Sequence, residues 1–149
     1  MNSYAVEILN KEFESEDQMI LEILVKVKEK KDIYGLNALS DSEMVIYVLG
    51  LLEMEVNNGG FEQYFFNTDG MYIEETFVAL EKIGAMKTSE QLQKAVEIYY
   101  DNDDEDDELT DTQQNELNEI DKWFYNYIDN LAKLQIYFIN NNITNFTLG

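Results

Sequence analysis

Residues 55–70 read EVNNGGFEQYFFNTDG, and this stretch decides how the chain folds. Two asparagines precede Gly59 and Gly60, and glycine readily adopts the positive φ angles at which helices end. We therefore expect the preceding helix to stop within residues 57–60. The segment 61–66 is short and aromatic, and residues 67–70 (Asn-Thr-Asp-Gly) have the composition of a turn. The stretch predicts a tight corner between helical parts of the chain.

Apolar residues recur at helical spacing on both sides of this corner, without strand alternation. Helix starts are predicted by four capping pairs: Ser15 with Gln18, Ser40 with Glu43, Thr88 with Gln91, and Thr110 with Gln113. A helix should end near Gly84, Asp129 should cap the last helix, and the Asn-rich tail from residue 140 should end loosely. The chain has no proline and no Pro-rich linker. These features predict an all-α fold, a compact single-domain bundle of six to eight helices over residues 1–149.

The charge of the chain is extreme: 31 acidic residues against 10 basic ones give a net charge of −21. Spread evenly over a folded protein of this size, that is roughly one net charge per 370 Å², against roughly one per 110 Å² for duplex DNA. Placed at the charge spacing of duplex DNA, the same net charge would extend over about 36 Å of the duplex axis, near one turn of the DNA helix. The charge therefore resembles DNA only if the acids gather on one face. It disfavours direct binding to nucleic acid or to an anionic membrane and favours a basic partner.

The absence of Cys and His excludes several kinds of site. Disulfides, the usual zinc ligand sets, Ser-His-Asp and Cys-His catalysis are all ruled out. The first 15 residues lack the basic start and apolar run of a signal peptide, and no apolar stretch approaches a membrane span. We expect a cytoplasmic protein that needs no cofactor.

Acidic residues concentrate after residue 100, and this segment is the candidate protein-binding surface. Its members are Asp101, Asp103, Asp104, Glu105, Asp106, Asp107, Glu108, Asp111, Glu116 and Glu119. One alternative is a solvated acidic loop. Another is a Ca²⁺ loop, but its sixth position is Asp106 instead of Gly and its twelfth is Thr112 instead of Glu. A further acidic group at 12–17 is typical of a helix start. A third group, comprising Asp111, Glu116, Glu119 and Asp121, could extend the charged surface.

The stretch that contains the two glycines also has two interpretations. Its carboxylates Glu53, Glu55 and Glu62 could serve acid–base or metal chemistry. The interpretation that we favour is structural, with polar side chains satisfying helix ends at the corner. The structural signature comprises Glu55, Asn57, Asn58, Gly59, Gly60, Phe61, Gln63, Phe65, Asn67 and Gly70.

The quoted stretch, followed by ETFVALEKIGA at 75–85, resembles the signature of a bacterial family of small acidic helical domains that includes a DNA mimic. The segment IDKWFYNYIDNLAKLQIYFINN at 120–141 resembles the closing helices of that family. The resemblance covers about residues 37–142 and leaves residues 1–36 as an N-terminal helical extension. It implies an all-α fold, a homodimer, and occupation of the DNA-binding surface of a protein.

Three functions follow, from different classes. The first is an acidic DNA mimic that blocks a basic DNA-binding protein, which could be a transcription factor, a nucleoid protein or a nuclease that it inhibits as an immunity protein would. The second is an interaction module in which the charge serves solubility and the partner binds an aromatic surface that includes Tyr99, Tyr100, Trp123, Tyr125 and Tyr127. The third, an enzyme dependent on carboxylates and a divalent metal, is the least favoured.

Overall fold

Helices make up the fold throughout residues 2–101 and 108–149, the ranges that the computed structural model describes. Within those ranges there are seven α-helices and no strand, which confirms the predicted all-α bundle in one compact domain. The helices are α1 (Tyr4–Leu9), α2 (Glu16–Tyr34), α3 (Asp41–Thr68), α4 (Ile73–Ile83), α5 (Met86–Tyr99), α6 (Asp111–Tyr125) and α7 (Leu131–Asn141). None of these described helices has the length and apolar character needed to cross a bilayer.

Helix α3 is the centre of the bundle and packs against α2, α4 and α6. It begins with the predicted capping box, in which Ser40 Oγ accepts from the Glu43 N–H and the Glu43 side chain accepts from the Ser40 N–H. Its buried side chains follow helical spacing, and Ile46, Leu49 and Leu52 have no exposed surface. Because the side chains on both flanks of α3 are apolar, several helices can pack around it at once.

The predicted interruption of this helix lies where the sequence places it. Gly59 (φ −158°, ψ 19°) and Gly60 (φ 79°, ψ −179°) leave helical geometry, and the chain then resumes as a helix from Phe61 to Thr68. The predicted turn follows, with Asp69 and Gly70 both in left-handed conformations. Helix α3 is therefore two helical segments, 41–58 and 61–68, joined by a corner.

Two helix starts differ from the predictions. Helix α5 begins at Met86, two residues before the predicted pair, and Ala85 provides no side-chain cap. Asp129 satisfies this end from across the chain, because its Oδ2 accepts from the Thr88 N–H at 2.7 Å and from Thr88 Oγ1 at 2.9 Å. The prediction that Asp129 caps the last helix is wrong: Asn130 caps α7, accepting from the Lys133 N–H.

The prediction of a loose C-terminal tail is also wrong. Phe146 is fully buried, and its ring meets Tyr4 edge-on at a centroid distance of 6.1 Å. The Tyr4 N–H donates to the Phe146 carbonyl at 3.0 Å. The residues after α7 thus pack into the core beside α1.

A buried ion pair fastens the same end of the molecule. Lys30 Nζ on α2 lies 2.7 Å from Glu43 Oε1 on α3, and both side chains are almost completely excluded from solvent. Lys30 Nζ also donates to the Thr147 carbonyl, and the Tyr4 hydroxyl donates to Glu43 Oε2 at 2.6 Å. Burial and the adjacent carboxylate raise the pKa of Tyr4 far above its usual value, so the phenol remains a donor. Helices α1 and α2 are thereby held to one carboxylate of α3, and the C-terminal residues are held to its lysine partner.

The substitution Lys30→Met should lower the free energy of unfolding by about 3–5 kcal/mol, because it leaves the Glu43 carboxylate buried without its cation. The double variant Lys30→Met/Glu43→Gln should recover much of that loss, since the remaining buried group is neutral. Urea unfolding followed by circular dichroism measures both values. A double variant less stable than the single one would contradict this account.

Candidate functional site

Five described members of the predicted surface form what we call the acidic face: Asp101, Glu108, Asp111, Glu116 and Glu119. All five are exposed. The predicted members Asp103, Asp104, Glu105, Asp106 and Asp107, and with them the Ca²⁺-loop alternative, lie outside the described residues. The acidic face therefore consists of the two edges of the acidic segment and the outer side of α6.

Gln113 brings two acids of this face, Asp101 and Asp111, to the same end of a helix pair. It completes the predicted capping box with Thr110 at the start of α6. Its Nε2 also donates to the carbonyls of Ile98 at 3.1 Å and Asp101 at 3.0 Å. Because one side chain joins the end of α5 to the start of α6, Asp101 and Asp111 lie at the same end of this helix pair.

Along α6 the acidic face continues away from that end. At about 1.5 Å rise per residue, Asp111 and Glu119 are about 12 Å apart along the helix axis, with Glu116 between them. The three positions fall within an arc of about 140° at 3.6 residues per turn. Glu119 is partly compensated, because Lys122 Nζ lies 3.0 Å from its Oε1. The other four acids form no ion pair with a described lysine.

A cleft of about 680 Å³ borders the acidic face. Glu108 and Leu109 line one side, and Gly59, Gln63 and Asn67 of the signature line the other. Phe66, which also lines the cleft, is 77% exposed. The signature and the acidic segment, treated as separate by sequence, thus share one surface.

Most polar groups of the signature serve the corner in α3. Glu55 Oε2, before the glycines, accepts from Gln63 Nε2 at 2.9 Å and from Asn67 Nδ2 at 2.8 Å, both after them. Phe61 and Phe65 are buried in the core, whereas Asn58 is exposed. Glu55 therefore connects the two helical segments, which supports the structural interpretation of this stretch.

Helix α6 supplies the partners that the corner lacks. Where α3 departs from helical geometry, the backbone groups beside the break need partners from outside the helix. Asp121 Oδ1 accepts from the Phe61 N–H at 2.8 Å, and the Tyr125 hydroxyl donates to the Val56 carbonyl at 2.9 Å. Burial raises the pKa of Asp121, and the Phe61 N–H offsets part of that rise. Sequence reasoning grouped Asp121 with the surface acids; the (i, i+4) spacing of Asp121 and Tyr125 is the signal that they share a face.

A second set of polar contacts joins the first segment of α3 to Tyr127, which follows α6, and to α7. Asn57 Nδ2 donates to the Tyr127 hydroxyl at 2.7 Å, which donates to Glu53 Oε1 at 3.1 Å. Gln135 Nε2 on α7 donates to Glu53 Oε2 at 3.1 Å. Burial is the main cause that raises the pKa of Glu53, and burial with the nearby Glu53 carboxylate raises that of Tyr127 to about 12. Sequence reasoning identified Glu53 but missed Gln135, because 82 residues separate them.

The carboxylates proposed for acid–base or metal chemistry do not converge. Glu55 is bound by two amides, Glu53 by Tyr127 and Gln135, and Glu62 is exposed in the cleft. Among residues 2–101 and 108–149, no three metal-ligating side chains form a group suited to an ion. The arrangement is that of a braced corner beside an acidic surface.

Together, the braced corner and the acidic outer side of α6 define the class: a small, acidic, all-α domain. The family model described as DMP19-like protein matches residues 37–142, so the chain belongs to that family. This confirms the DNA-mimic family, and the boundaries, that the resemblance indicated. Comparison with curated proteins and with solved structures gives no significant match.

The substitution Gly60→Ala should destabilise the fold by about 3 kcal/mol or more. The φ and ψ of Gly60 belong to a region that is essentially restricted to glycine, and an added Cβ would collide with the Asp121 carboxylate. Gly84→Ala is the matched control, because Gly84 also has positive φ (80°) but nothing lies within 4 Å of its added Cβ. It should cost only about 1–2 kcal/mol. Equal losses in urea unfolding would show that the contact with α6 is unimportant.

The substitution Glu53→Gln should change how stability depends on pH. Since burial raises the folded pKa of Glu53 above its ordinary 4.5, its ionised form disfavours the folded state. Well below pH 4.5 the carboxyl is protonated in both states and makes no such contribution. As pH rises through the raised pKa, the wild type should lose stability relative to Glu53→Gln, and the difference should then level off. A difference that is constant from pH 4 to pH 8 in urea unfolding would contradict this prediction.

Proposed function

We propose that this protein is an acidic DNA mimic that binds a basic DNA-binding protein and blocks its access to DNA, acting as a homodimer in the cytoplasm. Membership of the DMP19-like family supports the DNA-mimic class. The observation that carries the proposal is the acidic face, where four exposed carboxylates have no lysine partner among the described residues. Such carboxylates remain available to the cations of another molecule.

In the proposed mechanism, carboxylates take the place of phosphates. Lys and Arg side chains that neutralise the DNA backbone would meet Asp101, Glu108, Asp111 and Glu116 instead, at the end and along the side of one helix pair. Counterions released from both surfaces would favour the complex, so that affinity falls steeply as salt rises. The braced corner keeps α6 fixed against α3, which preorganises these charges and reduces the entropy lost on binding. The role is therefore one of binding, with no catalytic step. The partner class is a transcription factor, a nucleoid protein or a nuclease.

A second candidate is an interaction module whose partner recognises aromatic side chains. The exposure of Phe66, Tyr100 and Trp123 favours it. However, Lys94 Nζ lies 4.9 Å from the centroid of the Trp123 ring. Tyr125 and Tyr127 are committed to hydrogen bonds at the corner. The aromatic surface is thus less available than the acidic face.

Neutralising the acidic face should abolish partner binding while leaving the fold intact. The variant Asp101→Asn/Glu108→Gln/Asp111→Asn/Glu116→Gln removes four charges. Binding to a panel of purified bacterial transcription factors, nucleoid proteins and basic nucleases is measured between 50 and 200 mM salt, with and without competing duplex DNA. The wild type should bind a panel member in competition with DNA, and the variant should flatten the logarithmic salt slope by about two to four units.

The matched control removes the same charge elsewhere, through Glu7→Gln/Glu74→Gln/Glu81→Gln/Glu90→Gln. These four residues are exposed on α1, α4 and α5. The control should retain most of the affinity and most of the salt slope. Equal losses of affinity in both variants would show that only the net charge matters. Binding that DNA does not displace would favour the aromatic module. Either result rejects the mimic.

A further inference from the structure

An open groove lies on the side of the bundle formed by the start of α2, the middle of α3 and the start of α7. It consists of two adjoining cavities, of about 890 Å³ and about 270 Å³, that share Asp17, Glu53, Asn57 and Ala132. Glu14 and Glu16 add two carboxylates to the larger cavity. The smaller one is lined mainly by apolar side chains, among them Ile20, Leu21, Leu24 and Met54. The groove therefore joins an acidic end to an apolar end.

Glu53 lies where the two cavities join, and it lacks a counter-cation. Its oxygens accept one hydrogen bond each, from the Tyr127 hydroxyl and from Gln135 Nε2, both at 3.1 Å. No described lysine lies within ion-pair distance of it. A carboxylate removed from water without a cation is unfavourable, and each oxygen can still accept another donor.

Gln135 provides an independent observation, because it places an unpartnered acceptor beside the groove. It is 1% exposed and lines the smaller cavity. Its Nε2 must be the atom that faces Glu53 Oε2 and the Leu131 carbonyl, because both are acceptors. The other amide atom, Oε1, is buried and has no hydrogen-bond partner among the described residues. Buried acceptors are nearly always satisfied, so this oxygen indicates a site for an external donor.

A ligand that suits this groove carries positive charge, donates several hydrogen bonds and continues into an apolar stem. A primary ammonium on an alkyl chain has all three properties, with three N–H donors on one compact charge. A divalent metal fits less well, since the described residues form no group of three ligands around one point. The carboxylates instead follow one another along the groove, which suits a ligand with successive charges.

We propose that this groove binds a linear polyamine. One ammonium donates to Glu53 and to Gln135 Oε1, and methylene groups lie against Leu21 and Met54, which are 59% and 48% exposed. The next ammonium lies among the carboxylates at 14–17. Lys28, the lysine in the lining of the smaller cavity, limits how far a cation can extend in that direction. The site uses none of the acidic face, so it is independent of the proposed DNA mimicry.

Titration calorimetry with spermidine at 150 mM salt tests the site. The wild type should bind one spermidine, and Glu53→Gln should weaken binding at least tenfold because it removes the half-buried charge at the junction of the two cavities. Gln135→Met should weaken it severalfold through the lost acceptor. Glu90→Gln is the charge-matched control on the exposed face of α5 and should change affinity less than twofold. Equal weakening by Glu53→Gln and Glu90→Gln would show diffuse attraction and overturn the proposal.

Two further measurements test the groove even if the Glu53 or Gln135 variant fails to fold. Asp17→Asn, at an exposed position in the groove, should weaken spermidine severalfold without affecting thermal unfolding. Backbone amide shifts on adding spermidine should cluster at 14–21, 53–57 and 127–135; shifts centred on the acidic face would overturn the proposal. If Nα-acetyl-lysine amide bound as tightly as spermidine, the polyamine assignment would be wrong and the groove would take a protein lysine.

Discussion

The structure depends on how the break in its central helix is satisfied. A helix interrupted at Gly59 and Gly60 leaves backbone donors and acceptors without partners inside the protein, and such groups are unfavourable unless they are paired. Asp121 and Tyr125, one turn apart on α6, pair with them from both sides of the break. These two contacts orient α6 against α3 and so determine which way the charges on its outer side face.

Local features of the fold are those that could be predicted from sequence. The capping boxes at Ser40 and Thr110, the break at the two glycines and the helix end at Gly84 all form within a few residues of the chain. Short-range hydrogen bonds and positive φ angles determine them, so the residue types alone are informative. The acidic outer side of α6 was predictable in the same way, because the helical spacing of its apolar residues marks the inner face and leaves the acids on the other.

Long-range partners could not be predicted. Asp129 caps a helix 41 residues earlier in the chain, and Phe146 fills a place beside Tyr4 in the core. Gln135 reaches Glu53 across 82 residues, and Asp121 looked like one more surface acid. An Asp has the same sequence signature whether it caps a distant backbone group or faces solvent. Only the packing of the helices distinguishes these roles, and no local pattern encodes it.

The two sides of α6 have different freedom to change during evolution. Its inner side, with Leu117, Phe124 and Asp121, is fixed by the core and by the corner in α3. Its outer acids contact neither, so substitutions there alter the charge pattern without disturbing the frame. The residues on the outer side can therefore be substituted one at a time to suit a new partner, while selection for folding acts on the inner side alone.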